Sequence, residues 1–377
     1  MDTGPTALLD CAVGDVSARR ERCLDAFRGL TVAGMIIVNN PGNDTPYAPL
    51  EHAAWHGWTP TDLIFPFFVF ILGAAVPYAF TRRLKEGASR AVLLRQTLKR
   101  AAVLFGLGLV MNAWYLLTKS DAVFRIPGVL QRLAVCYAAS SALFLYMTPQ
   151  LQAAASFGGL LAYWLLLRWW GDLTPAGNLP AIVDRFLLGK HLYTPAFDPE
   201  GVLSTLPAIA QSQAGVLTAL WLRCDRSDAK KTSGMAAAGA ILAVLGLAWS
   251  PFFPINKALW TSSYVLFTTG LALLALAGLH WLIDLRGKGV WSKPFEALGV
   301  SALAAYILSG MGVRLMHLWH LARPDGSAGN LRYWLTDHLF APWLSPQAAS
   351  LGFSLAYLTA WILVFRALYK RNIIIKV

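Results

Sequence analysis

The 377 residues are 56% hydrophobic and only 14% charged, with 15 Trp and a mean hydropathy of +0.50. This excludes an ordinary soluble domain and points to an all-α polytopic membrane protein. The net charge of +12 sits in short links between apolar runs, not in a basic stripe interleaved with aromatics, so the expected partner is the lipid bilayer and no nucleic acid.

Residues 1–22 are polar, lack the apolar core of a cleavable signal peptide, and are expected to form a cytoplasmic tail. A transmembrane helix needs about 20 apolar residues. The run from Ala26 to Val38 is long enough only if its helix starts near Cys23, which places Asp25 and Arg28 on one face at the membrane edge, three residues apart, where they can pair. After Asn39 and Asn40 comes a Pro/Gly/Asn-rich loop. The next span covers about Pro60 to Phe80, with Pro66 and Pro77 expected to bend or end it. Basic residues from Arg82 to Arg100 precede a third span, Ala101 to Leu117. The fourth runs from Gly128 to Met147 and the fifth from Leu151 to Leu167, before Trp169 and Trp170. A long loop carrying Asp198, Pro199, Glu200 and Gly201 leads to the sixth, Val202 to Leu222, where Gln211, Ser212 and Gln213 suit interhelical hydrogen bonds. The seventh spans Ser233 to Trp249, the eighth Thr261 to Ile283, the ninth Phe295 to Met311 and the tenth Ala348 to Leu368.

About ten transmembrane helices put both termini on one side, and that side collects most of the 32 Lys and Arg residues. It is therefore the cytoplasmic face. His52, Glu200 and Lys257 then lie toward the outer face, and Asp25 and Arg28 toward the cytoplasm. No repeat interrupts residues 23–377, which read as a single transmembrane domain. Cys11, Cys23, Cys136 and Cys224 show neither metal spacing nor a disulfide framework.

The chemistry concentrates between Leu50 and Phe70. Thr59 reads as the N-cap of a helix, Pro60 as its first residue and Asp62 as its third, where a carboxylate meets unpaired N–H groups. Helix capping therefore explains Asp62 without catalysis. His52, beside Glu51 and Trp55, has no such account, although an interfacial imidazole is the plain alternative. Arg132 lies about one turn into the fourth span, with Gln131 beside it, and needs a partner there. Asn256 and Lys257 sit at a span entrance before Trp260, where anchoring is the plain alternative. His317 and His320 lack a third ligand, and no metal is expected. Cations at the inner mouth and a base at the outer mouth suit passage of a group from a cytosolic anionic donor to an external acceptor.

Several separated motifs carry a resemblance: LDAFRGLTVAGMIIVNN from Leu24, EHAAWHGWTPTDLIFPFFVFILG from Glu51, RIPGVLQRL from Arg125, FDPEGVLSTLPAI from Phe197, INKALWTSSYVLFTTG from Ile255 and the terminal KRNIIIKV. Together they resemble the heparan-α-glucosaminide N-acetyltransferase family and its bacterial relatives. The resemblance implies a bacterial form, without the extra N-terminal luminal region and span of the lysosomal members, acting in the cytoplasmic (inner) membrane as a transmembrane acyltransferase. It implies acetyl-CoA as donor and an amino sugar or glycan end as acceptor, with a homodimer possible from the behaviour of relatives. The family histidine falls on His52, its asparagine on Asn39 or Asn40, and the Asp of its T-x-x-D stretch on Asp62. These form the catalytic set His52, Asn39 and Asp62. Donor contacts are expected from Asp25, Arg28, Arg125, Gln131 and Arg132, and acceptor contacts from Asn40, Trp55, Glu200, Asn256, Lys257 and Trp260. His52 would act as base toward the attacking amine or carry the acetyl group itself. The competing expectation is an amino-sugar transporter or permease, favoured by ten spans, Gln211 and Gln213, and proline-broken helices.

Overall fold

Apolar runs divided by charged or Pro/Gly-rich links fold as helices along most of the chain in the computed structural model, which describes residues 21–118, 123–324 and 326–375. The expectations for the tail before Glu21 and for Cys11 fall outside these residues. The helices are α1 (Arg22–Asn39), α2 (Ile64–Lys85, entered through a 3₁₀ turn, Pro60–Leu63), α3 (Arg90–Thr118), α4 (Val129–Tyr146), α5 (Pro149–Trp170), α6 (Leu179–Leu188), α7 (Thr205–Leu222), α8 (Asp228–Trp249) and α9 (Ser262–Leu279). They continue with α10 (Lys293–Val300), α11 (Ala302–Leu318), α12 (Leu331–Leu339) and α13 (Pro346–Lys370). A small antiparallel hairpin, His320–Ala322 with Ala328–Asn330, precedes α12.

Every run expected to span is helical. Among the described residues, six helical stretches are long and apolar enough to cross a membrane: Pro60–Lys85, Val129–Tyr146, Pro149–Trp170, Asp228–Trp249, Ser262–Leu285 and Pro346–Lys370. The expected ninth span is instead two helices, Lys293–Val300 and Ala302–Leu318, bent by 87°, and makes a seventh only if the pair counts as one. The break falls at Ser301, which leaves the helical region with φ −116° and ψ 36°. Helix α1 carries Arg22, Asp25 and Arg28 in its first two turns, and α7 carries Gln211, Ser212 and Gln213, which lowers the apolarity of both. Pro77 lies inside α2 without ending it. Helices α6 and α12 occupy stretches expected to be loop.

The residues group into two compact units. The larger holds Glu21, Ala54–Gly57 and Pro66–Arg286; the smaller holds Arg22–Ala53, Trp58–Phe65 and Gly287–Val377. In the larger unit α2 and α7 meet backbone to backbone. A Cβ on Gly73 would fall 1.8 Å from the Ser212 carbonyl oxygen, and one on Gly215 would fall 1.9 Å from that of Phe70. Val76, Phe80, Leu93, Leu145, Val216 and Leu220 close the core beside this contact. Small residues serve the same purpose between membrane helices, where close approach supplies the packing energy. The smaller unit repeats the device: α1 packs on α10, with Gly29 against the Phe295 carbonyl and Gly299 against that of Asp25. The amides on α7 bond across helices as expected, Gln211 donating to Thr268 (2.9 Å) and Gln213 to Gln152 (3.3 Å). Cys23 and Cys136 are buried and not disulfide-bonded. Cys224 is disulfide-bonded, against expectation.

Candidate active site

In the smaller unit, Pro60 starts the 3₁₀ turn and Thr59 stands before it with extended backbone, φ −126° and ψ 167°. Asp62 then folds back, and its Oδ2 accepts the N–H groups of Thr59 (3.1 Å) and Ala53 (3.0 Å). The Thr59 hydroxyl reaches the Glu51 carbonyl at 2.6 Å. Capping is therefore one role of Asp62, and it leaves Oδ1 for a second. That oxygen accepts from Nδ1 of His52 at 2.7 Å. The carboxylate side chain is 1% exposed and the imidazole 54%. A buried carboxylate on Nδ1 fixes the tautomer, puts the ring's lone pair on Nε2, and stabilises the imidazolium formed when Nε2 takes a proton. Of the three residues expected at catalysis, His52 and Asp62 are thus brought together, and the backbone cap and the imidazole use different oxygens of one carboxylate.

Asp25 and Arg28 pair as their spacing requires, Nη1 to Oδ1 at 3.2 Å, and Arg28 also donates to the Gly299 carbonyl at 3.3 Å. Arg22 at the start of the helix meets Glu296 at 2.9 Å and the Gly289 carbonyl at 3.0 Å. The Arg28 side chain stays 24% exposed, so a guanidinium held in place on one side still faces outward on another. At the far end of α1 the two asparagines differ. Asn40 is buried and its amide donates to the Ile36 carbonyl (2.7 Å), while its own carbonyl accepts from Ser354 (2.8 Å). Asn39 is exposed.

In the larger unit, Trp55 donates to the Leu173 carbonyl (2.9 Å) and packs edge-on against Phe197. Gly57, with φ +96°, donates to the Ile255 carbonyl at 2.8 Å. Asn256 accepts from the Leu259 N–H (2.8 Å), shaping the turn before α9, and its amide donates to Nδ1 of His56 at 3.2 Å. Burial lowers the His56 pKa, in keeping with an imidazole that accepts here. Lys257 is half-buried. Trp260 ends this turn at φ +52°, a left-handed conformation that costs a bulky residue roughly 1–3 kcal/mol and is kept by its surroundings. Its indole donates to Gln211 (3.0 Å), and the Arg132 guanidinium lies over the ring, 4.9 Å from the centroid.

Arg125 is gripped by Asp198, through Nε at 2.8 Å and through Nη2, and by Glu200. Burial opposes its charge, but these two carboxylates more than offset that and raise its pKa. Gln131 donates to the Ile126 carbonyl (3.0 Å) and fills the space above Gly108 and Gly128. Arg132 is 1% exposed. Its Nη2 donates to Ser204 and to the Gly201 carbonyl, while Nε and Nη1 have no hydrogen-bond partner among the described residues. Two residues that the sequence reading left out complete the set. Asp198 neutralises Arg125, and its signal was the DPEG turn. Asp184, fully buried on α6, accepts the Val202 N–H at 2.8 Å and had no local signal at all. Burial lifts its pKa to about 6, against the opposing Val202 hydrogen bond.

The family described as heparan-alpha-glucosaminide N-acetyltransferase, catalytic, matches residues 20–253. That stretch contains His52, Asp62, Arg28 and Arg132, whereas Asn256, Lys257 and Trp260 lie beyond it. The chain is similar to the heparan-alpha-glucosaminide N-acetyltransferase of Mus musculus, 31% identical over 354 residues that cover 77% of this chain and 53% of the mouse protein. Its similarity to the same protein of Homo sapiens is 31% over 351 residues, covering 76% and 52%. The chain spans about half the length of these curated relatives.

Proposed function

Because the chain belongs to the heparan-alpha-glucosaminide N-acetyltransferase family, we propose that it is a transmembrane enzyme moving an acetyl group from acetyl-CoA to the amine of an amino sugar or glycan end. The observation that carries this reading is the His52–Asp62 hydrogen bond of 2.7 Å, with its carboxylate buried. An amine attacks a thioester only when unprotonated, and an imidazole with its lone pair on Nε2 suits removal of the amine proton near neutral pH. As the C–N bond forms, the C–S bond breaks, the proton passes to Nε2 and CoA leaves as its thiolate. The same nitrogen serves equally as an acetyl carrier in a two-step transfer; labelled acetyl-CoA given without acceptor separates the routes, since only the carrier retains label.

Asn39 is proposed to steady the thioester oxyanion, because the Asn40 amide is already used on Ile36. Asp25 positions Arg28 for the CoA phosphates, and Arg132, with two guanidinium nitrogens to spare, is the second donor contact. Arg125 and Gln131 are proposed to shape their surroundings instead, since their partners are internal. Acceptor contacts are kept for Trp55, Glu200, Asn256, Lys257 and Trp260. Residues 23–377 then work as one transmembrane acyltransferase domain of about ten spans in a bacterial inner membrane, with both termini and the donor cytoplasmic, the acceptor outside and a homodimer allowed.

The test is release of CoA thiol by purified protein given acetyl-CoA and glucosamine, compared with the His52→Ala variant. Acetyl transfer requires release by the parent and a loss of roughly 10²-fold or more in the variant. An amino-sugar permease would release none. The pairing of Gln211 and Gln213 across helices also removes two side chains that a transport path would use.

A further inference from the structure

Helix α9 continues past Leu279 as a π-helical turn, His280–Leu285. Such wide turns are rare and recur at functional sites. This one turns His280 and Asp284 toward Glu21, and one ligand-type atom from each of the three lies within 4.8 Å of the others. His280 is buried and the two carboxylates are half-buried. The ring is also oriented from behind. The Thr232 hydroxyl on α8 donates to the Asp228 carbonyl (2.9 Å) and lies 2.8 Å from Nδ1 of His280. With its single proton committed to Asp228, the hydroxyl oxygen accepts from Nδ1–H, and the imidazole lone pair is placed on Nε2. An outer hydrogen bond of this kind is what holds a metal-ligating histidine in its binding tautomer.

We propose that Glu21, His280 and Asp284 bind a divalent transition-metal ion, with a water in the fourth position. One imidazole and two carboxylates form a nitrogen and oxygen donor set with two negative charges and no thiolate, which suits Zn²⁺ or Mn²⁺. An ion about 2.0–2.2 Å from each donor holds them closer than 4.8 Å, so the flexible carboxylates rotate inward on binding. The proposal is independent of the acetyl-transfer reading. The site ties Glu21 to the end of α9, a stabilising role. The cluster leaves no pattern in the sequence, because Glu21 lies far along the chain from His280 and Asp284 and only the His280/Asp284 spacing is local.

The experiment uses the untagged full chain in detergent, stripped with a chelator, titrated with Zn²⁺ and separately with Mn²⁺ against a chromogenic competitor, and followed by thermal unfolding. The expectation is one equivalent bound, a rise in melting temperature on reloading, and an affinity lowered at least tenfold in Glu21→Gln and in Asp284→Asn. X-ray absorption of the loaded protein should show nitrogen and oxygen neighbours and no sulfur. His280→Ala should abolish binding, and the two carboxamide variants keep the test valid if that buried change impairs folding. Retention of neither metal, or unchanged affinity in both carboxamide variants, overturns the proposal.

Discussion

The carboxylate of Asp62 is the buried end, and the imidazole of His52 the exposed end, of a 2.7 Å hydrogen bond. The buried end is immobilised by the backbone: Asp62 also accepts from Ala53 and Thr59, so the 3₁₀ turn that starts α2 sets where the imidazole stands.

Replacing Asp62 by Asn should therefore hurt twice. The amide nitrogen donates to Nδ1 and forces the proton onto Nε2, the wrong tautomer, lowering turnover by about 10³- to 10⁴-fold. Loss of an acceptor for a backbone N–H should cost about 1–3 kcal/mol of stability. His52→Ala should remove turnover while CoA affinity, measured by calorimetry, stays within about twofold. Thiol release and thermal unfolding of the two variants separate these effects, and normal turnover in either one removes its residue from the reaction.

Arg28→Ala should weaken CoA binding by about 10- to 100-fold, the worth of a charge-assisted contact, with turnover at saturation less affected. If CoA affinity is unaltered in calorimetry, Arg28 is only the partner of Asp25.

Gly299 lies where α10 touches α1, and a Cβ there would fall 2.0 Å from the Asp25 carbonyl oxygen. Gly299→Ala must part the helices, at a cost of about 1–3 kcal/mol, and should weaken CoA binding through Asp25 and Arg28. Gly158 in α5 has open space around its Cβ position, so Gly158→Ala should be neutral or stabilising by up to about 1 kcal/mol. Thermal unfolding of both variants in the same detergent is the check.

Two groups outside the spanning helices, Asp184 and His56, give opposite pH dependences. Asp184 has a pKa of about 6 against 3.8 for the ordinary carboxyl, so the folded protein holds that proton more tightly than the unfolded chain. Its contribution is fully present below the unfolded pKa and is lost as pH rises through about 6, a change of roughly 2–3 kcal/mol. Asp184→Asn should flatten this decline, visible as a smaller difference in melting temperature between pH 5 and pH 7.

For His56 burial lowers the pKa below 6.5. Stability is present above that value and falls as pH drops through the folded pKa, when a proton on Nδ1 meets the Asn256 amide. His56→Gln should remove this acid-side slope in the same measurement.

Local physics made much of this chain readable. Runs of apolar residues became helices, Thr59, Pro60 and Asp62 formed a helix start, and Asp25 met Arg28 because three residues make most of one turn. The resemblance carried by LDAFRG and the motif around His52 was equally present in the chain. The broken ninth span was not readable, since no proline marks Ser301 and the bend accompanies packing of Gly299 on Asp25.

What sequence alone determined was therefore helix content and most helix limits, both consequences of interactions over three or four residues. Tertiary structure decided which charges are used up and which are left over. Arg125 finds Asp198 and Glu200, Arg132 keeps two buried donors, and Glu21 arrives beside His280 and Asp284. A guanidinium or carboxylate in a membrane bundle takes whichever partner the packed helices deliver, and that delivery depends on contacts between residues far apart along the chain.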